Sequence, residues 1–460
     1  MSRGRKCFRV SKLLLVLVIC GSGLGLSWLA EPSLRPPLLG GCLRPTRSPA
    51  RGAVQRLPRS SGKGTREPSR RGALAEWAQG AVQSAGTLVA AAAAFYTGAK
   101  VAVFGSPRQP ELQGPYKDVG SSLERFAGLR CRVLYPAQRG GKEAPYLSEG
   151  RATSDAMAGL VFFPGFLLEH LGYASSGCWE DAAPLSENFP ILVYSHGQGG
   201  NMDMGTYFLR QIASHGLIVV AVEHQDGSAS TGDPANPRPF SLTRGQLGVR
   251  FRAQELVQVA RALQAPGEAQ RYGGNPEQLF VGGHSYGGPT AILAAHAEPA
   301  LFKGLVLHDP ALSSEMPKLQ QPVFSVVGDE YAGIPNLVSQ VLKVSKPDES
   351  QAARPWVGAW HFLGISHGNF VDAPLWAPLV IMQLLRILLI PAAGPFEPAE
   401  AHRALARAAA DFVRGTGAPE CPEPWQRLRQ HPWRGDGRGP SKKEQSCTTL
   451  NPKPLNTPKP

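Results

Sequence analysis

The sequence predicts an α/β fold with a mostly parallel central sheet, from two observations. Short runs rich in Val, Ile and Leu recur along the chain, as expected of strands that are buried on both faces. Stretches with helical spacing of apolar residues separate them, and this alternation places helices on both sides of the sheet. The predicted strands are Ile191–Tyr194, Leu217–Val222, Leu279–Val281, Leu305–Leu307, Val323–Val327 and Val357–Phe362. The predicted helices are Met204–Ser214, Val249–Leu263, Pro289–His296, Ala373–Leu389 and Ala399–Arg414.

Composition divides the 460 residues into four segments. Residues 1–30 are predicted to be a signal peptide or signal anchor, because a basic stretch precedes the apolar run Leu13–Leu26. Residues 31–104 are predicted to be a basic, transit-like linker followed by an Ala-rich apolar helix. The folded domain is expected over residues 105–415, and the Pro- and Lys-rich residues 416–460 are expected to be a disordered tail.

The N-terminal segments predict entry into the secretory pathway, with a secreted or membrane-associated product. The apolar run is short for a membrane span, and Gly25 and Ser27 offer a cleavage site. A signal peptide followed by the transit-like residues 31–72 leaves a plastid destination as an alternative. The uncharged run between Glu76 and Lys100 is only weakly apolar, so its environment stays open.

The net charge of +13 does not indicate nucleic-acid binding. Residues 1–72 contain 15 Lys and Arg against Glu31 and Glu67, whereas the remaining residues contain 33 basic and 33 acidic side chains. Because nucleic-acid binding needs basic charge on the folded surface, we expect no nucleic-acid partner.

The seven cysteines are widely spaced and form no CxxC pair, which argues against a disulfide framework or a zinc site. A bridge between Cys131 and Cys178, or between Cys421 and Cys447, stays open for an oxidising compartment. We expect neither a metal nor a cofactor.

The strongest chemical signal is the sequence GHSYG at residues 283–287, which follows a predicted strand and precedes a predicted helix. This context is that of the nucleophile elbow of the α/β-hydrolase fold, with Ser285 as the nucleophile. Gly283 and Gly287 leave out side chains that would clash in so tight a turn. The helix N-terminus behind Ser285 favours negative charge on a substrate oxygen.

An oxyanion hole needs a second backbone amide, from a loop after an earlier strand. The sequence SHGQGG at residues 195–200 follows the strand Ile191–Tyr194, and its glycines let amides face a ligand. We therefore predict the N–H groups of Gln198 and Tyr286 as the oxyanion donors.

The acid and base should follow the serine in this fold. His367 lies in a loop after the predicted strand Val357–Phe362 and is the predicted base, whereas His361 lies within that strand. Asp309 and Asp329 each follow a predicted strand, so spacing alone leaves the acid open between them.

Several short segments of the sequence resemble those of the platelet-activating-factor acetylhydrolase family. They are ASHGLIVVAVEHQDGSAS at 213–230, SHG at 195–197, GPY at 114–116, the elbow, and HGNFVD at 367–372. The resemblance spans about residues 105–390. It implies a calcium-independent, phospholipase A2-type esterase that cleaves short or oxidised sn-2 acyl chains at a membrane or lipoprotein-like surface. It also implies Asp309 as the acid, because the family's acid follows the strand after the elbow.

The chain departs from that family near the site. Tyr286 and Gln198 stand where the family tends to have Phe and Leu, and His308 and Pro310 flank the predicted acid. These departures bear on substrate range more than on activity. The family's lipid-surface helices are not recognisable, and residues 163–182 are either a lid or an ordinary surface helix.

Two other functions stay open at this point. A broader carboxylesterase or a chlorophyllase-like esterase would use the same triad, although the segment EHQDGSAS at residues 223–230 is not typical of chlorophyllases. An inactive α/β-hydrolase that serves as a binding module is disfavoured, because Ser285, Asp309 and His367 are present together. The sequence does not indicate an oligomeric state.

Overall fold

The computed structural model describes residues 109–429 except 161–164, 237, 239, 241–247, 313–314, 347–354, 378–392 and 418–423. The predicted signal peptide, the transit-like linker, the Ala-rich helix and the end of the tail lie outside the described residues. No helix within the described part of the chain is long and apolar enough to cross a membrane.

The strands of the described residues form one sheet, in the order β11-β10-β9-β8-β7-β5-β6-β2-β1-β4-β3. The strands from β5 to β10 pair in parallel, whereas β1–β2, β2–β6, β3–β4 and β10–β11 are antiparallel and β1–β4 is parallel. The strand bounds are Val119–Phe126 (β1), Leu129–Pro136 (β2), Glu143–Pro145 (β3), Ser175–Glu180 (β4), Phe189–Ser195 (β5), Ile218–Val222 (β6), Gly274–His284 (β7), Leu305–His308 (β8), Val323–Val327 (β9), Gly358–Phe362 (β10) and Trp425–Arg427 (β11).

Helices cover both faces of this sheet. They are Arg151–Leu160 (α1), Thr206–Ser214 (α2), Val249–Leu263 (α3), Gly287–Ala297 (α4), Asp329–Ala332 (α5), Pro335–Val344 (α6), Ala373–Trp376 (α7) and Pro398–Arg414 (α8), with short 3-10 turns at Gly165–Leu167, Glu169–Tyr173, Gln270–Tyr272 and His367–Phe370.

Alternate side chains of the central strand β5 enter two different cores. Ile191 and Val193 pack with apolar side chains of α3 and α4, whereas Leu192 packs with those of α2 and α8. Because successive strand residues point to opposite faces, these two cores lie on the two sides of the sheet. The predicted α/β-hydrolase architecture is therefore confirmed, with its parallel strands bringing their carboxyl ends to one edge.

The predicted parallel strands and the helices that separate them are present, but the antiparallel half of the sheet was not predicted. Strand β2 contains Arg132, which is fully buried and forms an ion pair with Asp203 at 2.8 Å. A buried charge interrupts the apolar pattern on which strand prediction depends.

Three other regions differ in detail from the sequence analysis. The helix that begins at Ala373 ends at Trp376 instead of continuing as predicted, and residues 378–392 lie outside the described part. Strand β11 adds an ordered edge to the sheet within the predicted tail, where Trp425 is buried. The candidate lid 163–182 contains two 3-10 turns and then strand β4. Residues 165–182, the described part of this segment, thus contain no α-helix.

Cys131 and Cys178 are both buried free thiols. They belong to different cores, so the bridge that was left open between them is not formed. The other candidate pair, Cys421–Cys447, lies outside the described residues.

Candidate active site

The turn between β7 and α4 has the geometry of a nucleophile elbow. Ser285 adopts a left-handed backbone with φ of 55°, which costs a residue with a Cβ atom about 1–2 kcal/mol. The neighbouring glycines permit the turn, because a Cβ atom at Gly287 would lie 2.1 Å from the Ser195 carbonyl oxygen. A Cβ atom at Gly283 would lie 2.5 Å from the Gly287 carbonyl oxygen. Within this turn, the strained backbone conformation thus falls on the predicted nucleophile.

The structure brings the predicted acid and base together. The Nδ1 atom of His367 lies 2.6 Å from Oδ2 of Asp309, whose other carboxylate oxygen accepts a hydrogen bond from the Gly328 amide at 2.9 Å. Asp309 is fully buried just after β8, and His367 begins the 3-10 turn that follows β10. A buried carboxylate in this position fixes the imidazole tautomer and stabilises the imidazolium.

Asp329, the other candidate acid, is paired elsewhere. Its Oδ1 atom lies 2.8 Å from Nε2 of His361, and its Oδ2 atom accepts a hydrogen bond from the Gly364 amide at 3.0 Å. The two candidate carboxylates therefore serve two different histidines. Geometry favours Asp309 as the acid, in agreement with the resemblance.

The imidazole of His367 is in contact with two other rings. The centroid of the His284 ring is 4.5 Å from that of His367. The centroid of the Tyr331 ring is 4.7 Å from that of His367, and these two rings are nearly parallel, at 24°. Tyr331 belongs to the short helix α5 and was not singled out from the sequence. No local motif marks it, because its contact with His367 arises only when β9 and β10 lie side by side.

His308, one of the departures from the family pattern, is a structural neighbour of the site. It is fully buried and its Nδ1 atom is hydrogen-bonded to the Tyr194 hydroxyl at 2.9 Å. Burial lowers the pKa of His308 to about 3, so this imidazole is neutral near pH 7. It supports the end of β8, from which Asp309 projects.

The two predicted oxyanion donors flank Ser285. Tyr286 stands at the N-terminus of helix α4, and Gln198 lies in the loop after β5. This loop passes close to the nucleophile, since a Cβ atom at Gly197 would lie 3.1 Å from the Ser285 Cβ. Within the described residues, neither the Gln198 nor the Tyr286 amide donates a hydrogen bond to another protein group. Both amides therefore remain available to a substrate oxygen.

Ser285, His367 and Gln198 line one cavity of about 220 Å³. The rest of its wall is mostly apolar and is contributed by α2, the loop before it and the segment after His367. These side chains include Met202, Met204, Phe208, Leu209, Phe370, Val371 and Trp376. The cavity is smaller than the roughly 300–1,000 Å³ of sites for drug-sized ligands, so it suits a small apolar group.

The fold and this site define a serine ester hydrolase of the α/β-hydrolase class. A strained serine after a central strand, an acid–histidine pair and a glycine-rich loop meet at the carboxyl edge of the sheet, as this class requires. A solved structure of a ferulic acid esterase from Streptomyces cinnamoneus has the same fold, with a TM-score of 0.53 and 21% identity. The likeness covers 67% of this chain and 93% of that one.

The chain belongs to the family described as platelet-activating factor acetylhydrolase, isoform II, whose profile matches residues 156–259 and 274–421. A platelet-activating factor acetylhydrolase from Cavia porcellus is 25% identical over 328 residues, which are 62% of this chain and 73% of the relative. A putative phospholipase A2 from Schizosaccharomyces pombe is 22% identical over 307 residues, 50% of this chain and 68% of the relative.

Proposed function

We propose that this protein hydrolyses the sn-2 ester of glycerophospholipids that have short or oxidised acyl chains, without calcium. The observation behind the proposal is the 2.6 Å pairing of His367 with Asp309 beside an elbow serine, at the wall of a small apolar cavity. Membership of the acetylhydrolase family supports the substrate class, as do relatives named for acetylhydrolase and phospholipase A2 activity.

In the proposed mechanism, His367 removes the proton from Ser285, whose Oγ atom attacks the sn-2 carbonyl carbon. The amides of Gln198 and Tyr286 receive the charge that develops on the carbonyl oxygen. His367 then protonates the lysophospholipid oxygen as it leaves. Water, activated by the same imidazole, hydrolyses the acyl-enzyme and restores Ser285. Asp309 holds the imidazole in place throughout.

The cavity supports a preference for short acyl chains. Its volume of about 220 Å³ is lined by side chains such as Phe208, Leu209 and Trp376, and a long straight chain would exceed this space beside Ser285. An acetyl group or a truncated, oxidised acyl chain fits this volume.

We also propose that the segment from Gly165 to Tyr173 contacts a lipid surface. Phe166 is 49% exposed and Tyr173 is 63% exposed, so this segment presents two large apolar side chains to solvent. The segment packs through Leu168 and Leu171 on the apolar cluster that also contacts Trp376, a wall residue of the cavity. A phospholipid that leaves a membrane at this surface would therefore reach Ser285 over a short path.

For the cellular location we propose entry into the secretory pathway, with a plastid destination as the alternative. The support is the basic and apolar character of residues 1–30 and the transit-like character of residues 31–72. A fluorescent fusion of the full chain, compared with one that lacks residues 1–30, tests this proposal.

The central experiment is an assay of the full-length chain on phosphatidylcholines with sn-2 acetyl, oxidised short or long acyl groups, in the presence of a chelator. We expect rapid release of the short chains, slow release of long ones, and a loss of about 10⁴-fold or more in Ser285→Ala. A fluorophosphonate probe should label the parent and not the variant. Hydrolysis of simple esters alone would refute the phospholipid assignment and leave a general esterase.

A further inference from the structure

A second row of serine, histidine and carboxylate lies buried behind the loop that contains Gln198. The Ser195 hydroxyl is 2.8 Å from Nε2 of His224, and Nδ1 of His224 is 2.6 Å from Oε2 of Glu255. Ser195 and His224 are fully buried, and Glu255 is 4% exposed. Because no substrate can reach Ser195, this inner row (Ser195, His224 and Glu255) has no role as a nucleophilic triad.

The inner row connects three elements at the edge of the sheet where the active site lies. Ser195 is the last residue of β5, His224 follows β6, and Glu255 lies on helix α3. The Cα atom of Ser195 is paired with Val222 on one side and with Gly283 on the other. The row therefore joins the end of β5, the segment after β6 and helix α3 at the point where the oxyanion loop, residues 196–201, leaves the sheet.

The backbone of Ser195 is in contact with the elbow. The closest approach is to Gly287, where a Cβ atom would come within 2.1 Å of the Ser195 oxygen, and one at Gly283 would come within 2.8 Å of the same oxygen. In so close a contact, a shift of a few tenths of an ångström in Ser195 changes the separation between the oxyanion loop and the elbow.

Arg252, three residues before Glu255 on the same helix, contacts both sides of the oxyanion hole. Its Nη2 atom donates a hydrogen bond to the carbonyl oxygen of His196 at 2.5 Å, two residues before Gln198. Its guanidinium also lies over the ring of Tyr286, 5.2 Å from the centroid. The side chain is fully buried, so these contacts are not weakened by solvent.

The segment EHQDGSAST at residues 223–231 supports the loop from its other end. The Gly199 amide donates to the Ser228 carbonyl at 2.8 Å, and the Ser230 amide donates to the Gly200 carbonyl at 2.9 Å. His224 of the inner row belongs to this same segment, which the proposed reaction leaves without a role.

We propose that the inner row and Arg252 are positioning residues, which hold the oxyanion loop and Tyr286 at the separation at which their amides receive the developing charge. Helix α3, which carries Arg252 and Glu255, thus supports the oxyanion hole. This inference rests on the proposed function, because it assigns the oxyanion donors of that reaction.

The test compares Ser195→Ala, His224→Ala and Glu255→Gln in the full-length chain, with p-nitrophenyl acetate as substrate. A trifluoromethyl ketone, which forms a tetrahedral oxyanion on the serine, serves as the probe of the hole. Gln321→Ala is the matched control, because Gln321 is also buried and donates two hydrogen bonds, to the carbonyls of Ala295 and Pro299. It lies away from the oxyanion loop.

We expect His224→Ala to lower kcat by about 10- to 100-fold. This loss is smaller than the roughly 10²–10³-fold loss caused by complete removal of one oxyanion donor, because the donors are displaced and not removed. KM should change by less than about threefold, and the inhibition constant of the ketone should rise by the same factor as kcat falls. Ser195→Ala should lower kcat by about tenfold. In Glu255→Gln the amide oxygen can still accept from the Gln225 amide, and the NH₂ group can donate to Nδ1 of His224. Nε2 of His224 then donates to the Ser195 hydroxyl, so the row keeps its hydrogen bonds and kcat should stay within about threefold of the parent.

Parent-like kcat values in folded Ser195→Ala and His224→Ala would overturn the inference. So would a loss confined to KM, which would indicate weaker substrate binding and not a displaced oxyanion hole. An equal loss in Gln321→Ala would also overturn it, because it would indicate general destabilisation. If His224→Ala does not fold, Ser195→Ala alone decides. Ser285→Ala separates the two proposals: activity in that variant refutes the proposed function, whereas an inactive Ser285→Ala beside a fully active His224→Ala refutes only the positioning role.

Discussion

Replacing Asp309 with Asn should nearly abolish turnover while leaving the fold intact. Asp309 is fully buried and accepts two hydrogen bonds, from the His367 imidazole at 2.6 Å and from the Gly328 amide at 2.9 Å. In Asp309→Asn the amide oxygen can keep the bond to Gly328, but the NH₂ group then faces Nδ1 of His367. This reverses the tautomer, so Nε2 carries the proton and no longer accepts one from Ser285.

The expected loss is about 10⁴-fold in kcat, or about 5.5 kcal/mol of transition-state stabilisation. It would be measured by steady-state hydrolysis of a short-chain phospholipid, with the thermal unfolding temperature recorded for each variant. Asp329→Asn is the matched control, because that side chain is 46% exposed and pairs with His361. It should stay within about threefold of the parent. A larger loss in Asp329→Asn than in Asp309→Asn would refute the assignment of the acid.

Three further predictions concern the elbow, the base and the pH dependence of stability. Gly287→Ala places a Cβ atom 2.1 Å from the Ser195 carbonyl oxygen, so it should cost about 3 kcal/mol or more in unfolding free energy and abolish activity, as seen by thermal unfolding and ester assay. Tyr331→Leu removes the ring stacked on His367 and should lower kcat about fivefold, whereas Tyr331→Phe should match the parent; equal kcat in all three would contradict a role for the stack. Burial lowers the pKa of His308 from 6.5 to about 3, so the unfolded chain binds this proton first and stability is lost as pH falls below 6.5. The loss is about 1.4 kcal/mol per pH unit, and urea unfolding at pH 6.5, 5.5 and 4.5 should show a shallower slope for His308→Gln.

The parallel half of the fold was predictable because its signals are local. Val323–Val327 and Val249–Leu263 have the bounds that their apolar patterns indicate, and Ser285 lies between a strand and a helix as GHSYG requires. Asp309 and Asp329 could not be separated by the same means. Both follow parallel strands, and the choice depends on which carboxylate the loop after β10 reaches.

The features that sequence reasoning missed all depend on contacts between distant segments. Arg132 on β2 forms its buried ion pair with a residue 71 positions later, and Tyr331 meets His367 only across two strands. Polar side chains that are satisfied in this way look like surface residues in a sequence, because burial is only tolerable once the partner is in place.

The same reasoning explains why the EHQDGSAST segment could be noticed but not interpreted from the sequence. Its histidine resembles a candidate base, yet in the fold His224 lies between Ser195 and Glu255 and is out of reach of any substrate. A buried polar network costs free energy if it is left half-satisfied, so every member of the row constrains the others. None of the three residues of the inner row contacts the substrate. The consequence of this constraint is the rigidity of the oxyanion loop, which contains Gln198. Catalysis by electrostatic stabilisation depends on donors that are held in place before the charge develops.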